Sequence, residues 1–546
     1  MTLQDTQAQE RRGGGPENAD GNAPAPTENS IEIELKLAGP SDVLESLWGS
    51  TIAPKTKTVG RRLISTYYDT SDFRLRRRGF TLRVRQDEND FVQTVKVENG
   101  AAQSVMQRGE WSTPTDGPAP DLTKLGDAEL LDKIGLIVAG ELQPIFTTDV
   151  TRQTKKYRVN RRGVGRAHVE AALDTGEIRC EGKREAISEI ELELLTGSIV
   201  ALQKEAARIH HASPLQFQPL SKAERGFALA LGDHLKGQKS KLPNLTPEAS
   251  VEKGLASVLN NCMGHWLANH AAVLDGRDTE GVHQMRVALR RMRSALTIFK
   301  SILPVEDYEW LQSEAKSLIG NLGGVRDWDV FVDELLQPVI EARPEDANLI
   351  ILRDAVDEER RLAQERARSA LRSPAYLRFV LELGAWLESR GWRRAGTQTS
   401  LDRRLVVLAD EVLRKRHKQA VKLGRNFDAL PDEALHRLRI SLKKLRYATE
   451  FFVSLYGKGR TDTYLIALRQ LQDDLGHLND VAVAETRLRD VCGRHADSNA
   501  GALQAAFGTV IGWHSHTLAQ VRPRIAQDWL EFTRTKTFWE QKDVRV

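Results

Sequence analysis

Ile31-Glu32-Ile33-Glu34-Leu35-Lys36-Leu37 is the stretch that decides the fold of the first part of this chain. Apolar and charged residues alternate in it without a break, the period of a strand with one buried and one polar face. The alternation returns in Leu82-Arg83-Val84-Arg85, in Val92 to Val97, in Arg108-Gly109-Glu110-Trp111 and in Glu189 to Leu194. Gly, Asp and Asn separate these runs, as turns require. The spacing predicts an antiparallel sheet or barrel over residues 30–232, with helices near 41–48 and 121–135. Its polar face is almost wholly Glu, Arg and Lys. A solvated outer face and a charged barrel lumen both fit that pattern.

Outward from this region the composition changes. Residues 1–29 are rich in Gly, Pro, Asn, Gln and Ala, and are expected to be a disordered tail. Arg11 and Arg12 are followed by Gly13-Gly14-Gly15-Pro16 rather than an apolar run, which argues against an export signal. Residues 233–247 read as a linker. From 248 to 546 the period is helical, with breakers at Pro304, Pro338, Pro344, Pro374 and Pro431. The fold class is therefore α+β: an antiparallel β domain, sheet or barrel, then an all-α domain of two pseudo-symmetric bundles.

The whole chain of 546 residues has 79 Lys and Arg against 75 Asp and Glu. So mild a balance implies no polyanion partner by itself; clustering decides. No run of about 18 apolar residues occurs, so no transmembrane helix is expected. Three widely spaced cysteines, Cys180, Cys262 and Cys492, build neither a disulfide framework nor a zinc site and suit the cytoplasm.

The helical half repeats itself. His283-Gln284-Met285-Arg286-Val287-Ala288-Leu289-Arg290-Arg291-Met292-Arg293 resembles His436-Arg437-Leu438-Arg439-Ile440-Ser441-Leu442-Lys443-Lys444-Leu445-Arg446 at an offset of 153 residues. Leu322-Gly323 and Asp327 match Leu475-Gly476 and Asp480 at the same offset. A constant register over about 45 residues reads as a tandem duplication, with repeats near 250–400 and 401–540. On a helix, His283, Arg286, Arg290 and Arg293 fall within an arc of about 80°. His436, Arg439, Lys443 and Arg446 form the same stripe. Like charges on one face repel, so a stripe kept twice calls for an anion, and arginine forks match phosphate oxygens. Packed as a pair, both stripes would line one basic groove, extended by Arg414, Arg416, His417, Lys418, Lys422 and Arg425. No aromatic residues interleave with the stripes to stack bases, which disfavours nucleic acid. Asp327 and Asp480 follow Leu-Gly turns and are expected to cap or tether helices.

In the barrel half, Glu32, Glu34 and Lys36 share one strand face, with the carboxylates about 7 Å apart. That arrangement is poor unless a cation lies near it, and hard divalent ions favour such oxygens. Glu189, Glu191 and Glu193 again share a face, as do Glu170 and Asp174. Arg83, Arg85, Lys96, Arg108 and Arg152 stand against them.

The helical motif His-x-x-Arg-x-x-x-Arg-Arg-x-Arg, duplicated and followed by Leu-Gly, resembles the CHAD family over roughly 248–540. That resemblance implies polyphosphate binding and adds Arg291 and Lys444 to the two stripes. Asn479 stands at the position of Arg326, which weakens the case for Arg326 as a shared binding residue. The barrel half resembles the CYTH superfamily, the triphosphate tunnel metalloenzymes. The match carries Glu-x-Glu-x-Lys at 32–36, Tyr67-Tyr68-Asp69-Thr70, Leu82 to Arg85, Thr94-Val95-Lys96, Glu170, Asp174, Glu189-Ile190-Glu191 and Ser221 to Gly226. It implies Lys36, Arg83, Arg85, Lys96, Arg152 and Lys222 as phosphate ligands. It implies Glu32, Glu34, Glu189 and Glu191 as metal ligands or positioners of water, with Glu170 and Asp174 in the same acidic set and Glu193 at the rim. Arg61, Arg62, Arg108, Glu110, Lys156 and Lys183 have ambiguous strand register. The order CYTH then CHAD points to an inorganic triphosphatase using Mg²⁺ or Mn²⁺. Thiamine triphosphate hydrolysis, adenylate cyclisation and non-enzymatic binding at polyphosphate granules remain open, as does oligomerisation.

Overall fold

The computed structural model describes residues 30–98, 105–125, 127, 130–131, 133–135, 141–161, 164–232, 234–394, 398–494 and 496–540. The expected disordered tail at 1–29 lies outside them.

Nine strands form one sheet: β1 (Ser30–Ala38), β2 (Val59–Asp69), β3 (Phe80–Asp87), β4 (Asp90–Glu98), β5 (Met106–Thr115), β6 (Gln143–Arg161), β7 (Gly165–Cys180), β8 (Lys183–Gly197) and β9 (Gln216–Phe217). Their order is β5-β4-β3-β2-β6-β7-β8-β1-β9, and a further β5–β1 pairing closes the first eight into a barrel. Closure leaves an inside and an outside, so every strand sorts its side chains between them. Leu35, Leu37, Leu173, Ile190 and Leu192 point outward and are buried beneath helices. Those helices are α1 (Ser41–Ser50) and α3 (Ile199–Ala212). A short α2 (Arg74–Arg77) hangs on the Asp69 carboxylate, which accepts the backbone N–H groups of Thr70, Leu75 and Arg76. The helix expected near 121–135 resolves into a 3₁₀ turn at Leu122–Lys124 and helical residues at 130–131 and 133–135. Helix α4 (Lys222–Leu231) starts with a capping box between Ser221 and Glu224. Its Gly226 lies against the Phe146 ring, where a Cβ would come within 2.0 Å.

The segment read as a linker has no regular structure but is tied to the helices beyond it. Backbone N–H groups of Leu235, Gly237, Gln238 and Leu245 donate to Asp275, Asp278, Asn269 and Ser454.

The second part is helical: α5 (Val251–Ala268), α6 (His270–Asp275), α7 (Thr279–Ile298), α8 (Val305–Val330), α9 (Gln337–Ala342), α10 (Ala347–Arg372), α11 (Pro374–Glu388), α12 (Gln398–Asp402), α13 (Leu405–Leu423), α14 (Asp432–Phe452), α15 (Lys458–Arg494) and α16 (Ala496–Arg534). Helices α7 and α14 start 153 residues apart, and so do α8 and α15. Pro304 and Pro431 precede helices and Pro374 opens one, as the breaker reading expects. Pro338 does not break its helix: a π-helical turn at Phe331–Leu336 joins α8 to α9 and absorbs it. The Leu-Gly pairs at 322–323 and 475–476 are not turns either; both lie inside long helices.

Candidate active site

The sorting that buries Leu35 and Leu37 outside turns Glu34 and Lys36 inward. Register then fixes their neighbours. Glu34 lies opposite Glu193, Lys36 opposite Glu191 and Ala38 opposite Glu189 on β8. Across β8, Glu193 faces Glu170 and Glu189 faces Asp174 on β7. Asp174 in turn faces Arg152 on β6. On the other wall Lys96 faces Glu110, Arg83 faces Tyr67 and Arg85 faces Ser65.

These residues enclose a cavity of about 350 Å³. Glu32, Glu34, Lys36, Arg83, Arg85, Lys96, Arg152, Glu170, Glu191 and Lys222 all line it, together with Tyr67, Glu110 and Glu193. Asp174 and Glu189 lie behind this lining, fully buried. Of the residues with ambiguous register, Arg61 and Arg62 pair with Asp87 and Asp149 on the exposed surface. Lys156 reaches Glu170 at 2.9 Å. Lys183 donates to the Leu229 carbonyl. The side chain of Arg108 lies outside the described residues.

The charges inside are not evenly matched. Lys36 Nζ sits 2.5 Å from both Glu34 and Glu191. Lys222 Nζ is 2.6 Å from Asp174, 2.5 Å from Glu189 and 2.9 Å from Glu191. Arg152 forks onto Asp174 at 2.7 and 2.6 Å and also reaches Glu191. Arg225 holds Glu189 at 3.0 Å. Burial alone would favour neutral forms, but these contacts hold Glu191 well below and Lys222 well above their ordinary values. On the opposite wall Lys96 joins Glu32 at 2.5 Å and Glu110 at 3.0 Å. Against the cost of burial, Lys96 and Arg83 bring Glu110 down to about 2.

Two groups stand outside this balance. Arg85 touches only Ser65 Oγ at 3.4 Å and, among the described residues, forms no ion pair with a carboxylate. Burial and the neighbouring Arg83 and Arg152 lower it to about 9. Glu193 is its acidic counterpart. Burial, then Glu32, Glu170 and Glu34, push its carboxyl up to about 7. Among the described residues, then, neither Arg85 nor Glu193 is in an ion pair, although Glu110 and Lys96 act on them electrostatically. Glu32, Glu34, Glu170 and Glu193 gather hard oxygen donors of the kind that suit Mg²⁺ or Mn²⁺, the first three each paired with a lysine. Asp174, Glu189 and Glu191 also come within 4.8 Å of one another, a metal-sized spacing. Lys222, Arg152 and Arg225 pair with them, as Lys96, Lys36 and Lys156 pair with Glu32, Glu34 and Glu170. Tyr67 lines the lumen without a role in the sequence reading. Burial would raise its phenol, but Arg83 and Arg85 hold it below its ordinary value.

In the helical part, α7 and α14 bring both stripes together. Arg290 acts electrostatically on Arg286, Arg439 and Lys443. Burial, then Arg439 and Arg290, lower Lys443 to about 7, and burial with Arg290 lowers Arg286 to about 10. His283 is lowered to about 4 by burial and Arg326, so it is neutral. His436 is exposed and lies 2.8 Å from Asn479. Arg286 pairs with Asp327 and Arg439 with Asp480, each at 3.6 Å. The two aspartates therefore tether arginines rather than cap helices. Arg326 belongs to the first cluster despite Asn479 in the repeat, and Arg487 of α15 joins it on Asp327. Arg293 is bound to Gln312, and Arg446 to Glu450.

Two members of the expected set fall elsewhere. Arg291 is buried, donates to Asn261 and lies over the Phe451 ring at 5.4 Å. Lys444 is exposed, on the same side of its helix as Arg291 is on α7, away from the stripe. Both sit about 80° past their stripe's histidine, while the arginines lie behind it. His417 and Arg416 do not extend a surface either. His417 packs among Tyr464, Phe532 and Trp539, and Arg416 donates to Ser294 and to the Lys444 carbonyl.

The structure is a closed barrel with a lumen of paired acids and bases, followed by a duplicated basic helical bundle. The CYTH domain family matches residues 30–227 and the CHAD domain family matches residues 257–489; the chain is a CYTH–CHAD fusion. An uncharacterized protein of Mycobacterium tuberculosis (strain CDC 1551 / Oshkosh) is 27% identical over 456 residues, covering 78% of this chain and 83% of that protein. An inorganic triphosphatase of Haemophilus influenzae is 27% identical over 227 residues, covering 41% of this chain and 62% of that protein. The crystal structure of the CHAD domain from the plant Ricinus communis is 30% identical, covers 55% of this chain and 97% of that chain, and has a TM-score of 0.48. Among the described residues no helix is long and apolar enough to cross a membrane.

Proposed function

We propose that the barrel hydrolyses inorganic triphosphate to phosphate and pyrophosphate, and that the α7–α14 groove binds polyphosphate. The observation that carries the first part is the separated imbalance of the lumen: among the described residues neither Arg85 nor Glu193 is in an ion pair, and burial with like charges shifts both. A chain of phosphates bridged to a divalent ion supplies a partner to each at once. The cavity of about 350 Å³, lined mostly by charged side chains, suits a bare phosphate chain better than a nucleotide. The triphosphatase relative supports the same reading.

Lys36, Arg83, Arg85 and Lys96 grip phosphoryl oxygens, while Arg152 and Lys222, anchored by Asp174 and Glu189, complete the cradle. Glu32, Glu34 and Glu193 would hold Mg²⁺ or Mn²⁺, with Glu170 beside them. When bound, the ion neutralises phosphate oxygens and supplies Lewis acidity. The residues fix the chain in line with an attacking water, and one P–O bond is exchanged for that water's oxygen. The groove needs no chemistry, only a row of cations.

The test is phosphate release from inorganic triphosphate with Mg²⁺, with Mn²⁺ and with EDTA, beside ATP. Metal-dependent release of phosphate and pyrophosphate, with ATP much slower, is expected. No release in either metal would refute hydrolysis.

A further inference from the structure

Two lysines of the lumen hang on one short stretch, residues 213–221. The Gln218 N–H donates to the Lys36 carbonyl at 3.2 Å. Strand β9 pairs its Phe217 and Gln216 with Leu37 and Ala38 of β1. Ser221, at the end of the stretch, caps α4, whose first residue is Lys222. A two-residue strand cannot hold itself in place, so its other side needs support.

That support comes from the helical domain. Phe217 is 7% exposed and meets the His270 ring edge-on at 5.6 Å. His270 Nδ1 lies 2.8 Å from the Tyr376 hydroxyl on α11. The Leu215 N–H donates to His210 Nδ1 at 3.0 Å, so His210 carries its proton on Nε2 and donates to the Pro374 carbonyl at 2.9 Å. Burial brings His270 down to about 3, so this contact is neutral packing and not an ion pair. Leu215, Phe217, Tyr376, Leu377 and Trp266 belong to one continuous buried cluster.

We propose that Phe217 is a positioning residue for the barrel: it carries the docking of His270 and α11 to Lys36 and Lys222, so the phosphate-gripping set is complete only with the helical domain seated. This rests on the tunnel reading above. A phosphate-holding group displaced by about 1 Å costs on the order of a hundredfold in rate. Truncating Phe217 leaves a void that β9 can relax into.

The experiment uses the full chain. Phe217→Ala is expected to lower triphosphate turnover by roughly 10- to 100-fold and to raise KM. Polyphosphate affinity of the groove stays unchanged, and Phe217→Leu restores most of the activity. Wild-type kcat and KM in Phe217→Ala, at a temperature where circular dichroism shows it folded, overturn the proposal. If Phe217→Ala does not fold, His210→Ala is judged by the same criterion. If the wild-type chain releases no phosphate, the hydrolysis reading alone fails. Positioning is then read from Mg²⁺-dependent triphosphate binding in a chain carrying Arg290→Ala and Lys443→Ala. Binding lost on adding Phe217→Ala supports it, unchanged binding overturns it, and no binding at all overturns both.

Discussion

Single side chains make the sharpest claims. Among the described residues Arg85 is a lumen cation in no ion pair, which leaves its charge for substrate. Arg85→Ala should lower triphosphatase kcat/KM by about 10²- to 10³-fold, the cost of one preorganised charge on a developing anion. A loss below threefold in steady-state assays would remove Arg85 from the site. Glu193→Gln should raise the metal concentration for half-maximal activity at least about tenfold, or about 1.4 kcal/mol. Asp174→Asn should instead lower thermal stability first, because Lys222 and Arg152 lose a buried partner. Lys443 carries a pH prediction for the groove. Its free value near 7 lies below its ordinary 10.5, so it is charged below about pH 7 and neutral above. A bound polyanion restores the charge. Affinity for polyphosphate should therefore fall as pH rises from 7 toward 10.5, with proton uptake on binding, and Lys443→Arg should flatten the profile. The unfolded chain keeps this proton up to about 10.5, so the charge opposes folding most below pH 7. Calorimetry across that range in two buffers checks both the slope and the proton count.

At the scale of elements, three glycines separate roles that the sequence leaves alike. Gly323 and Gly476 are repeat partners, and both are helical. A Cβ on Gly323 would come within 2.9 Å of Arg286 Nη1, whereas one on Gly476 would meet nothing within 4 Å. Gly476→Ala should stabilise by about 0.5–1 kcal/mol through helix propensity alone. Gly323→Ala should gain less and should weaken polyphosphate binding, because it displaces the arginine tethered by Asp327. Gly226→Ala should be severely destabilising, since its Cβ would enter the Phe146 ring. Melting temperatures and groove affinity of the three variants test this ordering. The element types were legible from the sequence, because a period of two or of 3.6 is written in the chain itself. The Leu-Gly pairs were misread as turns, because a glycine that admits a neighbouring guanidinium leaves the same mark in sequence as a glycine that ends a helix.

For the whole molecule, the continuous core between α3, β9 and α11 joins the two domains. Heating should therefore give one cooperative transition by calorimetry. Two separated transitions would show that the domain contact contributes little to the fold. The sequence by itself determined the alternating strands, the change to a helical period and the duplicated bundle; the residue set that faces the lumen came from the family resemblance, and the structure decided that its charged strand face points inward. The strands, the helical period and the duplication are matters of spacing along the chain, and spacing survives without coordinates. Only the tertiary structure decided which charges cancel. Lys222, twenty-nine residues beyond Glu193, reaches Asp174, Glu189 and Glu191 and neutralises them, whereas Glu193 is left among carboxylates. Strand register and helix rotation place these groups, and they likewise put Arg291 into the core, Arg487 beside the groove and Phe217 against His270. Such pairings are through-space sums over partners from distant segments, and no periodicity along the chain records them.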